Sequence, residues 1–198
     1  LQVAEIARGL QNAGIEPGDR VCAYMPNMPE TVIAMLATTA IGAIWSSCSP
    51  DFGVQGVLDR FGQIEPRILF SADGYYYNGK QHDSLAKLAE IREGLPSVEE
   101  VVIAPLVDSQ PMIDTVRDAV LWHDFSNNAD NVEFVDLPFN HPLYILYSSG
   151  TTGVPKCIVH GAGGSLLQHL KEHRLHVDLY PGDRFFYFTT CGWMMWNW

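Results

Sequence analysis

Basic side chains are scarce in this chain. Lys and Arg number 12 against 23 Asp and Glu over 198 residues, a formal charge of −11. No basic stripe offsets that balance, which argues against nucleic acid as a partner. Anionic ligands must therefore be held by local donors and not by a general positive field. Paired cysteines are lacking too. Cys22, Cys48, Cys157 and Cys191 stand far apart, form no CxxC and mostly sit in apolar runs. They read as reduced thiols of a cytoplasmic protein, not as a disulfide framework. No basic segment precedes an apolar run near Leu1, so no signal peptide is visible. The long uncharged stretch from Thr31 to Pro50 is interrupted by Thr, Ser and Gly. It divides into a helix-like and a strand-like half, so it reads as buried core and not as a membrane span.

The two commonest nucleotide-loop patterns are missing as well. Gly161 to Ser165 fails the Gly-x-Gly-x-x-Gly spacing, and no Gly-x-x-x-x-Gly-Lys-Ser/Thr is present. What the chain has instead lies after the apolar run Leu143 to Tyr147. Residues 148–156 hold four hydroxyls (Ser148, Ser149, Thr151, Thr152), two glycines (Gly150, Gly153) and Lys156. Each type serves phosphate differently. Hydroxyls rotate to donate, and glycines let backbone N–H groups form a concave nest. A lysine adds a charge worth about 4 kcal/mol at 4 Å in a medium of effective dielectric near 20. A polar hairpin turn is the plain alternative. Cys157 to His160 reads as a second strand, so the loop joins two strands and a helix follows later.

The rest of the chain alternates. Val3, Ile6, Ala7, Leu10 and Ala13 share a helical face, with Gly14 where a C-terminal cap belongs. Strands are predicted over 20–25, 43–47, 67–71 and 99–104, and helices over 30–43, 54–64 and 84–94. This order implies a parallel-rich α/β sheet covered on both faces. Residues 105–142 are irregular and read as a passage into a second sheet. Pro17-Gly18-Asp19-Arg20 is echoed by Pro181-Gly182-Asp183-Arg184, either as reuse of a good turn or as a duplicated α/β half. Ser165 is a candidate N-cap. His160 reads equally as a phosphate contact or a backbone-bonded residue. His169, Glu172 and His173 match a His-x-x-Glu-His metal pattern, but no third ligand follows at family spacing, so a solvated helix face is expected and no metal site.

Tyr147 to Lys156 resembles the signature of the adenylate-forming enzymes, the acyl-CoA synthetases, luciferases and peptide-synthetase adenylation domains. Three further segments, Trp45 to Gly53, Tyr75 to Lys80 and Phe188 to Asn197, resemble the acetoacetate-activating branch of that superfamily, and the likeness spans essentially the whole chain. It implies two parallel-rich α/β sheets with covering helices, part of a large N-terminal domain. The division expected is residues 1–136 as a first subdomain and 137–198 as the start of a second carrying the phosphate loop. It also implies ATP with its Mg²⁺, CoA as co-substrate and acetoacetate as the acid, with no membrane span. Ser148, Ser149, Thr151 and Thr152 would be hydroxyl donors to phosphate, Gly150 and Gly153 backbone approaches, and Lys156 the charge. Trp193, Met194, Met195 and Trp196 read as core or as the wall of an acyl/CoA pocket. Acetate-using relatives carry Gly-Trp-Val-Thr-Gly there, so their threonine contact to CoA has no counterpart. The adenine and ribose segments, the hinge and the catalytic lysine would lie in a C-terminal portion of the same polypeptide, leaving no catalytic residue in this part. The alternatives are another short-chain acyl-CoA synthetase, such as an acetate–CoA ligase, or a non-catalytic nucleotide-binding module.

Overall fold

A computed structural model of the chain describes residues 1–148 and 153–197. The predicted apolar face forms helix α1 (Gln2–Asn12), which buries Ile6, Ala7 and Leu10. The chain leaves it through Gly14 at φ 75°. Gly14 N–H donates to Gln11 O and Ile15 N–H to Leu10 O, both at 3.0 Å. That Schellman closure needs the positive φ that glycine adopts without strain.

The remaining elements follow in chain order: β1 (Arg20–Tyr24), α2 (Pro29–Ala40), β2 (Ile44–Cys48), α3 (Val54–Phe61), β3 (Ile68–Ala72), β4 (Gly74–Tyr77), β5 (Lys80–Asp83), α4 (Leu85–Glu93), β6 (Glu100–Ala104), β7 (Ala119–Leu121), α5 (Trp122–Phe125), β8 (Pro142–Tyr147), β9 (Cys157–Gly161) and α6 (Ala162–Lys171). Seven strands form one sheet in the order β7-β6-β3-β1-β2-β8-β9. All neighbours in it are parallel except β8 and β9, which are antiparallel. Alternation along each strand divides the core. Val21, Ala23, Trp45, Phe70 and Val102 join one buried layer with Ile6 and Leu10 of α1 and Ile33 and Ala37 of α2. Cys22, Tyr24, Leu69, Val101 and Ile103 join the other with Val57 and Phe61 of α3 and Leu88 and Ile91 of α4. Both faces are covered, as near-continuous apolar strands require.

The mixed α/β architecture is thus the one expected, but residues 137–161 do not open a separate sheet among the described residues. β8 docks beside β2 with Trp45 opposite Tyr144, and the Ser46 hydroxyl donates to Ile145 O at 2.7 Å. The second sheet is instead the β4–β5 ribbon. Its Asn78-Gly79 turn, with φ 49° and 72°, has the positive angles that two-residue hairpins require.

Ser165 is not the N-cap of α6. The helix starts at Ala162, and Ser165 is buried a turn inside it. The first helical N–H groups are already satisfied, because Ala162 donates to His141 O at 2.8 Å and Gly163 to Phe139 O at 2.9 Å. A Cβ on Gly163 would lie 2.3 Å from the Phe139 ring, so glycine is what permits this close approach.

Candidate functional site at the carboxyl edge of the sheet

The chain passes from β1 to β2 on one side and then to β3 on the other. In open α/β sheets ligands bind outside the carboxyl ends of the strands, where the strand order reverses. Tyr24, Cys48, Ala72 and Tyr147 end their strands at this common edge. The loop singled out by its hydroxyls and lysine leaves from here, because β8 runs parallel to β2.

The loop is closed at its base. Tyr147 pairs with Cys157, Ser148 N–H donates to Lys156 O at 3.0 Å, and Lys156 N–H donates to Ser148 Oγ at 3.1 Å. With its oxygen occupied this way, the Ser148 hydroxyl keeps its hydrogen to donate elsewhere. Gly153 has φ 140°, and Lys156 is exposed. Ser149, Gly150, Thr151 and Thr152, also expected in the phosphate set, lie outside the described residues. Below the loop, the Ser46 hydroxyl is 3.1 Å from Tyr147 OH, and burial raises the Tyr147 phenol well above its usual range.

The terminal cluster docks on the same edge. Ser47 Oγ donates to Cys191 O at 2.7 Å, and Trp196 Nε1 donates to Asn27 Oδ1 at 3.0 Å. Gly192 allows this approach, since a Cβ there would meet Phe52 at 3.0 Å and Ser49 N at 3.2 Å. The four residues read as core or pocket wall divide. Met194 and Trp196 pack partly against the core layer of α1 and α2. Met195 and Trp196 also line a cavity of about 550 Å³ with Asn27, His173, Phe185 and Tyr187. Trp193 is largely exposed and borders a neighbouring hollow with Tyr187 and Phe188. Asn197 is buried with neither side-chain amide atom paired among the described residues, a costly arrangement unless a polar partner arrives.

Burial makes the cysteines of this edge poor nucleophiles. Burial pushes the Cys48 and Cys191 thiols up to about 12, with Arg60 opposing the shift at Cys48, so both stay protonated near neutrality. His169 and His173 have ring centres 6.4 Å apart. Burial holds the His169 pKa low, with His173 and His160 adding to the effect. Among the described residues no group of three His, Cys, Asp or Glu side chains converges as a metal site. His160 sits on β9 opposite Tyr144.

Sequence reasoning missed the groups that organise this edge. Buried Asp73 accepts the N–H groups of Leu106, Val107 and Asp108 at 2.7, 3.1 and 2.8 Å. Arg60 of α3 and Gln63 of the turn that ends it reach Tyr147 and Pro155, on the two limbs of the 148–156 loop. None of the three stands in a motif. Only their long-range contacts reveal them.

Comparison with known proteins agrees with this fold. The family described as AMP-binding enzyme matches residues 1–197. The acetoacetyl-coenzyme A synthetase of Rhizobium meliloti (strain 1021) is 58% identical over 198 residues, covering 99% of this chain and 30% of that protein. The acetoacetyl-CoA synthetase of Gallus gallus is 52% identical over 203 residues, again 99% of this chain and 30% of its own length. The solved acetoacetyl-CoA synthetase from Streptomyces lividans superposes with a TM-score of 0.93 at 49% identity, over 99% of this chain and 30% of that one. The chain therefore spans about 30% of the length of these relatives.

Proposed function

This chain belongs to the AMP-binding enzyme family, and from that premise we propose that it is part of an AMP-forming acid–thiol ligase acting on acetoacetate. In the first step a carboxylate oxygen of acetoacetate attacks the α-phosphorus of ATP. The bond from that phosphorus to the bridging oxygen breaks, giving acetoacetyl-AMP and pyrophosphate. In the second step the CoA sulfur attacks the acyl carbon and loses its proton. The bond to the AMP oxygen breaks, giving acetoacetyl-CoA and AMP.

The observation that carries this reading is the closed loop at the carboxyl edge, with Ser148 and Lys156 joined across its base. Its role is to hold the departing phosphates in line through position and charge, where preorganised donors act most strongly. Ser148, Ser149, Thr151 and Thr152 donate hydroxyls, Gly150 and Gly153 give backbone approach, and Lys156 supplies the cation. The Ser148 hydroxyl and the Lys156 ammonium are a donor set suited to a triphosphate. Mg²⁺ would be brought in by ATP as part of the substrate, and the charge it would supply neutralises the phosphates beside Lys156 and the loop hydroxyls.

The cavity beside Met195 and Trp196 is assigned to the acyl group and the pantetheine arm of CoA, with Trp193 and Met194 shaping its approaches. Residues 1–136 are assigned to one subdomain and 137–198 to the start of another, with β8 and β9 as the strands by which the second part joins the sheet of the first. Support for that division comes from the exposed apolar surface after β9 and from the relatives' greater length. The free cysteines favour a reducing compartment such as the cytoplasm. The alternative is a ligase for another short acid.

Pyrophosphate release by the polypeptide of full family length, measured with acetoacetate and with acetate, tests the proposal. The expected result is a specificity constant higher for acetoacetate by at least about tenfold, the discrimination a pocket contact supplies. Preference for acetate would replace this reading with the alternative.

A further inference from the structure

The two limbs of the phosphate loop are held by side chains one helical turn apart. Gln63, in the turn that ends α3, has an amide nitrogen with two hydrogens. One goes to Asp59 O at 2.6 Å, within its own helical segment. The other goes to Pro155 O at 2.8 Å, across 92 residues of chain. On the incoming limb, the Arg60 guanidinium carbon lies 5.8 Å from the Tyr147 ring centre and 4.6 Å from that of Phe52. Its Nη1 is fixed by donation to Gly56 O at 2.6 Å.

The acceptor at Pro155 matters because of the peptide plane it belongs to. In a trans peptide the C=O and the following N–H point to opposite sides of one rigid unit, and the described chain has no cis bond. Pro155 C=O faces Gln63, so Lys156 N–H faces the other way, where it donates to Ser148 Oγ at 3.1 Å. The chain of donation therefore runs from the Gln63 amide through the Pro155–Lys156 peptide to the Ser148 hydroxyl. Hydrogen bonds in such a series polarise one another. The hydrogen left on Ser148 can then be offered to a phosphate oxygen.

We infer that Gln63 is a positioning residue for the phosphate loop, orienting the Pro155–Lys156 peptide and through it the Ser148 hydroxyl, while Arg60 steadies the incoming limb at Tyr147. This rests on the phosphate-loop reading given above. It confines the effect of Gln63 to the half-reaction in which pyrophosphate departs, because thiolation proceeds with no pyrophosphate in the loop.

The test uses the polypeptide of full family length and four proteins: the parent, Gln63→Glu, Gln63→Lys and Lys156→Ala. Single-turnover adenylation with acetoacetate and MgATP is compared with thiolation of preformed acetoacetyl-AMP, alongside thermal unfolding. Gln63→Glu removes both donors and sets a carboxylate against two carbonyls. It should slow adenylation about three- to tenfold and leave thiolation within about twofold, at an unchanged melting temperature. Gln63→Lys restores a donor long enough to reach Pro155 O and should recover most of the loss. Lys156→Ala should slow adenylation about ten- to a hundredfold. Unimpaired adenylation by Gln63→Glu, with Lys156→Ala impaired, would overturn the role of Gln63 and leave the loop reading standing. Equal loss in both half-reactions, or a lysine variant as slow as the glutamate one, would reduce Gln63 to a structural contact and overturn it too. Normal adenylation by Lys156→Ala would remove the loop reading, and the positioning role with it.

Discussion

The two Pro-Gly-Asp-Arg turns are nearly superimposable in their chemistry and differ in what they open into. Gly18 and Gly182 have φ 95° and 96°, the positive angle that a type II turn needs at its third position. Asp19 N–H donates to Glu16 O at 3.1 Å and Asp183 N–H to Tyr180 O at 3.0 Å. In return, the Asp19 carboxylate accepts from Glu16 N at 2.9 Å and that of Asp183 from Tyr180 N at 2.7 Å. After the first turn the chain enters β1, between β3 and β2, and Arg20 donates to Ile64 O and Glu65 O at 2.7 and 3.0 Å. After the second, Phe185, Phe186, Tyr187 and Phe188 are 54%, 85%, 56% and 80% exposed, with no strand assigned there. Four residues suffice to write a turn. A strand also needs neighbours, and these come from distant sequence.

The largest expected effect separates the regions that follow the two turns. Phe70 is fully buried beside β1, with ring centres 5.6 Å from Trp122 and 5.8 Å from Phe125. Phe70→Ala should cost about 3–5 kcal/mol in urea unfolding, the usual result of an aromatic cavity. Phe186→Ala in the same 198 residues should cost under about 0.5 kcal/mol, as at other exposed positions. Comparable losses at the two sites would mean that the run after the second turn has packing partners in solution, and the contrast would fail.

A smaller effect divides the turns themselves. Asp19 also accepts Arg67 Nη1 at 2.6 Å, whereas the hydrogen bonds of the Asp183 carboxylate stay within its own turn. Asp19→Ala should therefore cost about 1–3 kcal/mol, a charge-assisted bond as well as a turn bond, and Asp183→Ala about 1 kcal/mol or less. Asn at either position keeps the turn acceptor. It should restore the Asp183 variant almost fully and the Asp19 variant only in part. Full rescue of both would show that Arg67 contributes little.

The same division governs what could be read from sequence. The elements from α1 to β6 that were expected fall within a few residues of their predicted bounds, because apolar periodicity is local and each element buries the face its spacing defines. The strand–loop–strand form around residues 148–156 was legible for the same reason. The β4–β5 ribbon was missed although Asn78-Gly79 between Tyr75-Tyr76-Tyr77 and Lys80-Gln81-His82 is a hairpin signal. The sheet that β8 joins was not legible at all. That choice is made by contacts such as Ser46 to Ile145, 99 residues apart, and no spacing rule encodes them. The candidate site divides likewise: Ser148 and Lys156 were nameable from composition, while Gln63 and Asp73 emerge only when distant segments meet.

The smallest expected effect is one of pH, and it contrasts a tertiary ion pair with a local one. Arg67 donates to both carboxylate oxygens of Glu99, at 2.7 and 2.8 Å, and also to Gly14 O at 2.8 Å and to Asp19. Hydrogen bonding from Arg67 lowers the Glu99 pKa, with burial opposing it. A carboxyl lowered in the folded state stabilises the fold above its unfolded value, near 4.3 for glutamate. That contribution is lost as pH falls through the lower folded value. The Glu99 side chain is 54% exposed, so solvent screening keeps the contribution below about 1 kcal/mol. Glu172 is lowered as well, first by a hydrogen bond from Lys171, whose Nζ lies 3.0 Å away. That pair lies within one helical turn and joins no separate elements. Urea midpoints between about pH 3 and 6 should therefore fall less steeply on acidification in Glu99→Gln than in the parent, and added salt should shrink the difference. Glu172→Gln should flatten the profile less than Glu99→Gln does, because Lys171 is its sequence neighbour and can pair with it in the unfolded chain as well. A profile flattened equally by both variants would contradict the distinction, because it would place the helix carrying Glu172 in the same cooperative unit as the sheet corner where Arg67 joins α1, β1, β3 and β6.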